Sequence, residues 1–244
     1  MSFNRIVEDG VIIQTITGSV LYGTNDENSD IDYFSVFIPT KRQVLGLVDF
    51  EQSSKIYEQE NKIIDVQYHS LIKFIKLAIG NNPNILSLFY TPDSRMVKFN
   101  KYGEILLSSR DLFLSKKCFK TFKGYAQSQK SKMTTHVRVG KRKELCERLG
   151  FDTKYAMHLI RLYYECIDIL KYKKIIYPSE NVQTLMAIKN GEKDLEWVLA
   201  ESAKLERKID ELYLSSTLQE MPKIQEIENL QISMIDRFWK ESEK

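Results

Sequence analysis

Residues 18–36 read GSVLYGTNDENSDIDYFSV, and the two halves of this stretch ask for different backbones. Ile31 to Ile38 (IDYFSVFI) is rich in β-branched and aromatic residues, which is strand composition. In a strand, residues two apart share a face, so Asp30 and Asp32 would present their carboxylates side by side. Two adjacent carboxylates repel unless a cation neutralises them, and Mg²⁺ is typically held by one or two carboxylates plus substrate phosphates. Upstream, Val11 to Ile16 (VIIQTI) is a second strand that ends at Thr17-Gly18-Ser19. A glycine there lets backbone N–H groups approach a phosphate closely, and the serine hydroxyl can donate to it. Ser19 to Ser29 would supply a short helix or turn and a polar loop. The parts are a phosphate-gripping turn beside a metal-gripping strand.

Outward from this centre, Ile63 to Tyr68 (IIDVQY) is a third strand, and Leu47–Phe50 and Lys55–Tyr57 are short additional ones. From Ser70 the period changes: Leu71, Phe74, Ile75 and Ala78 recur at helical spacing. Gly80 to Pro83 stops that helix and starts another, with Pro83 at its first position. Beyond about residue 104 the pattern is helical only, with amphipathic segments at 104–114, 117–130, 154–171, 194–214 and 222–240. The expected fold class is α+β: a small mixed sheet with flanking helices over residues 1–110, followed by an all-helical domain over 111–244.

The chain has 244 residues, 43% hydrophobic and 28% charged, as in a folded globular protein. No apolar run approaches the roughly 18 residues that span a bilayer, so no membrane partner is expected. Cys118, Cys146 and Cys166 lack metal-ligand spacing and read as reduced thiols of a cytoplasmic protein. Net charge is +3, but between Lys116 and Arg148 eleven Lys and Arg stand against two acids. Such a surplus attracts phosphate-bearing ligands or is a solvated surface. Phe119, Phe122 and Tyr125 lie within it at helical spacing, which assigns them to core rather than to base stacking. The run Met133 to Lys143 is too polar for core and suits a loop over a cleft or an acceptor-binding surface.

The combination of Gly-Ser, about ten residues, and Asp-hydrophobic-Asp resembles the polymerase-β-like nucleotidyltransferase signature. The form Gly-Ser-x-x-Tyr-Gly with Ser-Asp-x-Asp after it is similar to a bacterial and bacteriophage branch of predicted nucleotidyltransferases. The resemblance continues through Asp65, the Gly80 to Pro83 turn and Tyr155 to Leu162. It implies two Mg²⁺ (or Mn²⁺) ions on Asp30, Asp32 and Asp65, with these acids catalytic, and an NTP donor touching Gly18, Ser19 and Tyr22. Asp65 also has a case of its own, since a charge flanked by Ile63, Ile64 and Val66 is costly unless paired or metal-bound. Glu58 and Glu60 are reserve acids. That branch often carries an acid where this chain has Ser87, so the position departs from the pattern.

In the helix of residues 151–171, capped by Asp152 or Thr153, Tyr155, Leu159, Leu162, Cys166 and Ile169 form an apolar stripe. Lys154, His158, Arg161 and Glu165 lie about 100° round from it. Lys154, His158 and Arg161 could grip a triphosphate, the arginine as a bidentate fork. His69 and His136 read as structural or surface residues. The expected activity is transfer of a nucleoside monophosphate from an NTP to a hydroxyl with release of pyrophosphate. RNA is favoured as acceptor over protein or a small molecule, through the 116–148 basic segment. The alternative is a nucleotide-sensing or partner-binding module on the same fold, against which the third carboxylate argues.

Overall fold

A computed structural model describes residues 10–27, 29–47, 49–135 and 141–242. The expected α+β class holds. Five strands, β1 (Val11–Thr17), β2 (Ile31–Phe37), β3 (Gln52–Gln59), β4 (Lys62–Ser70) and β5 (Met96–Phe99), form one sheet in the order β3-β4-β2-β1-β5. β2 and β4 run parallel, and the other neighbours are antiparallel. The sequence pattern misses β5 and underestimates β3. Residues 47, 49 and 50 are not in a strand.

Short helices connect the strands. Helix α1 (Gly18–Tyr22) starts directly after β1, and α2 (Lys41–Leu45) is closed by a Thr40–Gln43 capping box. Ser70 accepts from Lys73 N at the start of α3 (Leu71–Ile79), which buries Leu71, Phe74, Ile75 and Ala78 as its period requires. Asn82 caps α4 (Pro83–Leu86), with Pro83 in the first turn where its missing N–H costs nothing. The sheet's packing against these helices is carried by aromatic rings: Phe34 meets Phe74, Phe74 meets Phe89, and Phe89 meets Phe113, at 5.0–6.4 Å between centroids. Each such pair contributes about 0.5–1.5 kcal/mol beyond its burial.

His69 ends this aromatic row, edge-on to Phe34 at 4.9 Å. Burial, with Lys73 nearby, lowers its pKa from 6.5 to about 4. The folded chain thus keeps His69 neutral through a window in which the unfolded chain takes up a proton. Its contribution to stability is complete above the unfolded pKa and declines as pH falls from about 6.5 to about 4. His69→Phe should flatten the fall in Tm across that window, read by thermal melts at pH 7.5, 6, 5 and 4. An unchanged slope would place the acid sensitivity elsewhere.

The expected division at residue 110 differs from the observed grouping. One compact unit comprises residues 10–114 together with 221–242, and the other comprises 115–220. The C-terminal helix α11 (Ile224–Ser242) therefore belongs with the sheet, not with the other helices. Trp239 donates from Nε1 to the Pro39 carbonyl at 2.7 Å, and Phe238 packs edge-on to Tyr102. Tyr102 lies on α5 (Lys101–Ser108), the observed part of the helix expected at 104–114. Its hydroxyl and the Lys101 ammonium both meet Glu241, at 2.8 and 2.6 Å. These contacts join residues more than a hundred positions apart, which no local period encodes.

The second unit holds α6 (Lys117–Thr135), α7 (Lys141–Leu149), α8 (Thr153–Tyr172), α9 (Val182–Lys189) and α10 (Leu195–Ser215). Helix α8 is its centre, with α6, α9 and α10 packed around it. That is why it is buried on most of its circumference rather than along one stripe. The polar run 133–143 is not one loop, since α6 ends at Thr135 and α7 begins at Lys141. Residues 136–140, with His136, lie outside the described residues. Cys118, Cys146 and Cys166 are in no disulfide. No helix among the described residues is long and apolar enough to cross a membrane.

Candidate active site

The centre of the site is the junction of β1, α1 and β2. Thr17 lies opposite Asp32 in the antiparallel register, so the first residue of α1 arrives beside that carboxylate. Gly18 has φ +62°, a left-handed conformation that L side chains rarely adopt. A Cβ on Gly18 would clash with Oδ2 of Asp32 and lie 2.8 Å from its Cγ. Both the backbone turn and the space above it therefore require glycine. The Asp32 carboxylate is packed against the Gly18 backbone, and Ser19 follows at the start of the helix.

Thr17 provides no side-chain cap for α1. Gly23, also left-handed, closes α1, and Thr24 N bonds the Ser19 carbonyl at 2.9 Å. Tyr22 is buried and Ser19 half-buried.

Asp32 and Asp65 are direct partners in the parallel β2–β4 register. Lateral partners in a sheet share a face, so their carboxylates are neighbours. Oδ1 of Asp65 is buried and accepts no hydrogen bond from any described group. A carboxylate oxygen held out of water without a donor is costly, and a cation is the partner that relieves both the desolvation and the repulsion from Asp32. The pair thus fits a divalent metal completed by substrate phosphates.

Asp30 is exposed and precedes β2 by one residue. Among the described residues no three His, Cys, Asp or Glu side chains converge on one metal position. The structure brings Asp32, Asp65 and Gly18 together and leaves Asp30 at the rim. A feature the sequence reading missed delivers Asp30 there. Ser29 Oγ accepts from Asp26 N at 2.8 Å and donates to Asp26 Oδ1 at 3.1 Å, while Ser29 N bonds the Asp26 carbonyl. The Asp26-x-x-Ser29 spacing was the available signal for this turn. The reserve acids Glu58 and Glu60 are exposed. Glu58 is paired with Ile63 in β3–β4 and Glu60 is in the turn after β3. Ser87 is buried and donates to the Asn84 carbonyl at 2.7 Å, a local structural bond.

The second set of expected phosphate ligands lies on α8. Lys154 is exposed and His158 is half-buried. Arg161 is buried and donates from Nη1 to Glu165 Oε1 at 2.6 Å, and the Tyr177 hydroxyl donates to the same oxygen at 3.0 Å. Burial pushes the Glu165 pKa up, while Arg161 and Tyr177 pull it down. The fork expected to face a triphosphate is thus engaged inside the helical unit. In the basic segment, Lys116 pairs with Glu220, and Lys123 with Glu206 and Asp210. Acids distant in sequence offset part of the local surplus. Phe122 is core, and Phe119 stacks on Tyr213 at 4.5 Å.

The model of the family described as RlaP, the RNA repair pathway DNA polymerase beta family, matches residues 2–238. The chain belongs to the RlaP family. It is thereby a polymerase-β-like nucleotidyltransferase by family, as the Gly18-Ser19 and Asp30/Asp32 pattern implied. A relative from Enterobacteria phage T4, described as an uncharacterised 38.9 kDa protein in the nrdC–mobD intergenic region, is 30% identical over 128 residues. That stretch is 50% of this chain and 38% of the phage protein, so the match spans well under half of the relative's length. Among solved structures, a nucleotidyltransferase-like protein from Exiguobacterium sibiricum 255-15 is similar over 98% of this chain and 71% of its own, at TM-score 0.34 and 10% identity. The spectinomycin adenyltransferase AAD(9) from Enterococcus faecialis, solved with ATP and spectinomycin, is similar over 84% of this chain and 94% of its own, at TM-score 0.42 and 11% identity. Both are distant likenesses.

Proposed function

We propose that this RlaP-family chain transfers a nucleoside monophosphate from an NTP to a hydroxyl acceptor, releasing pyrophosphate, with RNA as the acceptor class. The observation that carries the reading is the packing of the Asp32 carboxylate on Gly18, with Asp65 as its lateral neighbour. One carboxylate is thereby shared between a phosphate-holding turn and a metal-holding pair.

In this reading Gly18 and Ser19 hold the terminal phosphates through the turn's N–H groups and the serine hydroxyl. Asp32 and Asp65 hold the cations, and Asp30, at the rim, adds a ligand when the triphosphate is in place. Bound Mg²⁺ or Mn²⁺, as a pair, supplies charge neutralisation at the α-phosphate and at the departing pyrophosphate. Asp65 draws the proton from the acceptor hydroxyl. The acceptor oxygen bonds to the α-phosphorus as the bond to the β-phosphate oxygen breaks. No group on the chain becomes covalently modified, so positioning carries the rate. On α8, Glu165 already engages the Arg161 guanidinium, which weakens the case for Arg161 among the three basic residues expected to hold phosphate. RNA as acceptor is supported by the RNA repair pathway named in the family's description and by the exposed Lys120 and Lys130 of α6. The reduced, undisulfided cysteines fit a cytoplasmic setting.

The test is incubation of the protein with each α-³²P-labelled NTP, Mg²⁺ or Mn²⁺ and a cell extract, followed by separation of RNA, protein and small molecules. Label should enter RNA and be removed by ribonuclease, and Asp32→Asn should abolish it. Label in protein or small molecules would reassign the acceptor. Absence of label from every fraction, with nucleotide binding indifferent to Asp32→Asn, would sink the enzyme reading.

A further inference from the structure

The row of side chains that carries the acid pair continues past it. Thr17 lies opposite Asp32 in β1–β2, Asp32 opposite Asp65 in β2–β4, and Asp65 opposite Ile56 in β3–β4. Directly opposed residues share a face of the sheet. Ile56 therefore stands beside Asp65, one strand spacing of about 4.8 Å further from Asp32. Ile63 precedes Asp65 by two positions on β4 and shares that face. It is also the diagonal neighbour of Ile56 across the hairpin. The register that places both is held by the two-residue turn Glu60-Asn61. Both turn residues have positive φ, as a type I′ hairpin turn requires.

Neither isoleucine is used by the core. The alternate positions of β4, Ile64, Val66 and Tyr68, are buried in the cluster on the opposite face. Ile56 is 69% exposed and Ile63 49%. A single exposed apolar side chain is ordinary. Here two adjoin each other and the Asp65 strand position, so an apolar step borders the charged site. Glu58, exposed and opposite Ile63, adds a negative charge at its outer edge.

The direction of the displacement gives this step its occupant. In phosphoryl transfer the attacking and leaving oxygens lie roughly in line, on opposite sides of phosphorus. With the terminal phosphates at Gly18 and Ser19, at the β1 end of the row, pyrophosphate departs toward β1. The acceptor hydroxyl then enters from the β4 side, where Asp65 draws its proton, and the body of the acceptor lies over β3. On the basis of the transfer proposed above, we infer that Ile56 and Ile63 form the acceptor platform. The terminal nucleoside of the RNA packs its base and sugar on them while its hydroxyl reaches the α-phosphorus. Apolar side chains take up the uncharged part of a nucleotide, and the Glu58 carboxylate keeps phosphates off the same place.

The experiment measures transfer by the whole chain at saturating labelled NTP against increasing RNA purified from the cell extract, and the reverse. Ile56→Ser and Ile63→Ser replace exposed side chains and spare the core, and thermal melts check that both proteins fold. Together they should raise the KM for RNA about tenfold or more while the KM for NTP stays as it is. Ile56→Val should keep most of the wild-type KM. Tyr57→Ser, next along β3 but on the opposite face, should not change it. A wild-type chain that labels RNA, with a double variant of equal KM for RNA, would overturn the platform and leave the transfer standing. An equal rise from Tyr57→Ser would do the same, because the effect would then belong to the hairpin and not to its acid face. Absence of transfer to RNA by the wild-type chain would remove the RNA acceptor and the platform together.

Discussion

Gly18→Ala should slow nucleotidyl transfer about 100-fold while the protein still folds. The methyl group would clash with Oδ2 of Asp32, so the carboxylate must turn away or β2 must move from β1. Either shift separates the phosphate turn from the Asp32–Asp65 pair by a fraction of an ångström to an ångström. Displacement of that size costs about 100-fold in rate where catalysis is mostly positioning. The left-handed φ of +62° adds about 1–2 kcal/mol of backbone strain for alanine, a loss a folded domain can carry. The measurement is single-turnover transfer with saturating NTP, beside a thermal melt. Loss of activity with a small fall in Tm is the expected pattern. Full activity would mean that Asp32 does not act from the position it occupies.

The second large effect is on stability. Arg161 and Glu165 form a buried ion pair one helical turn apart on α8, and their side chains are 6% and 4% exposed. Such pairs add little net stability when intact, because desolvation offsets the attraction. Removing one partner strands the other charge, at about 3–5 kcal/mol. Arg161→Met should therefore destabilise the protein by about that amount at neutral pH, measured by urea denaturation. Glu165, already pushed up by burial, would then lie higher still without the guanidinium. Part of the lost stability should return on acidification, as Glu165 becomes neutral in the folded state. Arg161→Met with Glu165→Gln should recover part of the loss at neutral pH for the same reason. If Arg161→Met leaves the urea midpoint unchanged but weakens NTP binding, Arg161 is a phosphate ligand after all.

Much of the sheet unit was legible because its rules are local. The change of period at Ser70 and the Gly80 to Pro83 turn located α3 and α4. The family followed from the Gly18-Ser19 and Asp30/Asp32 pattern, and the match over residues 2–238 agrees with it. Strand β5 was missed because an edge strand of four mostly exposed residues carries no burial alternation. The return of α11 to the sheet rests on Trp239 finding the Pro39 carbonyl, a pairing invisible to any sliding window. Arg161 lies in the core rather than on a stripe open to a triphosphate, because α8 is surrounded rather than one-sided. The i, i+4 spacing of Arg161 and Glu165 was in plain view, but only burial separates a solvated pair from a structural one. Similarly, the distribution of Lys and Arg over 116–148 did not reveal Glu206, Asp210 and Glu220 as partners.

The central claim is that Asp32 and Asp65 jointly hold a divalent cation against a nucleoside triphosphate gripped at Gly18 and Ser19. Mn²⁺ titration followed by electron paramagnetic resonance, with and without a non-hydrolysable NTP analogue, tests it most directly. Mn²⁺ should bind weakly alone and strongly with the analogue, and both Asp32→Asn and Asp65→Asn should remove that enhancement. Mn²⁺ binding that the analogue does not enhance, or an enhancement that survives either substitution, would contradict it.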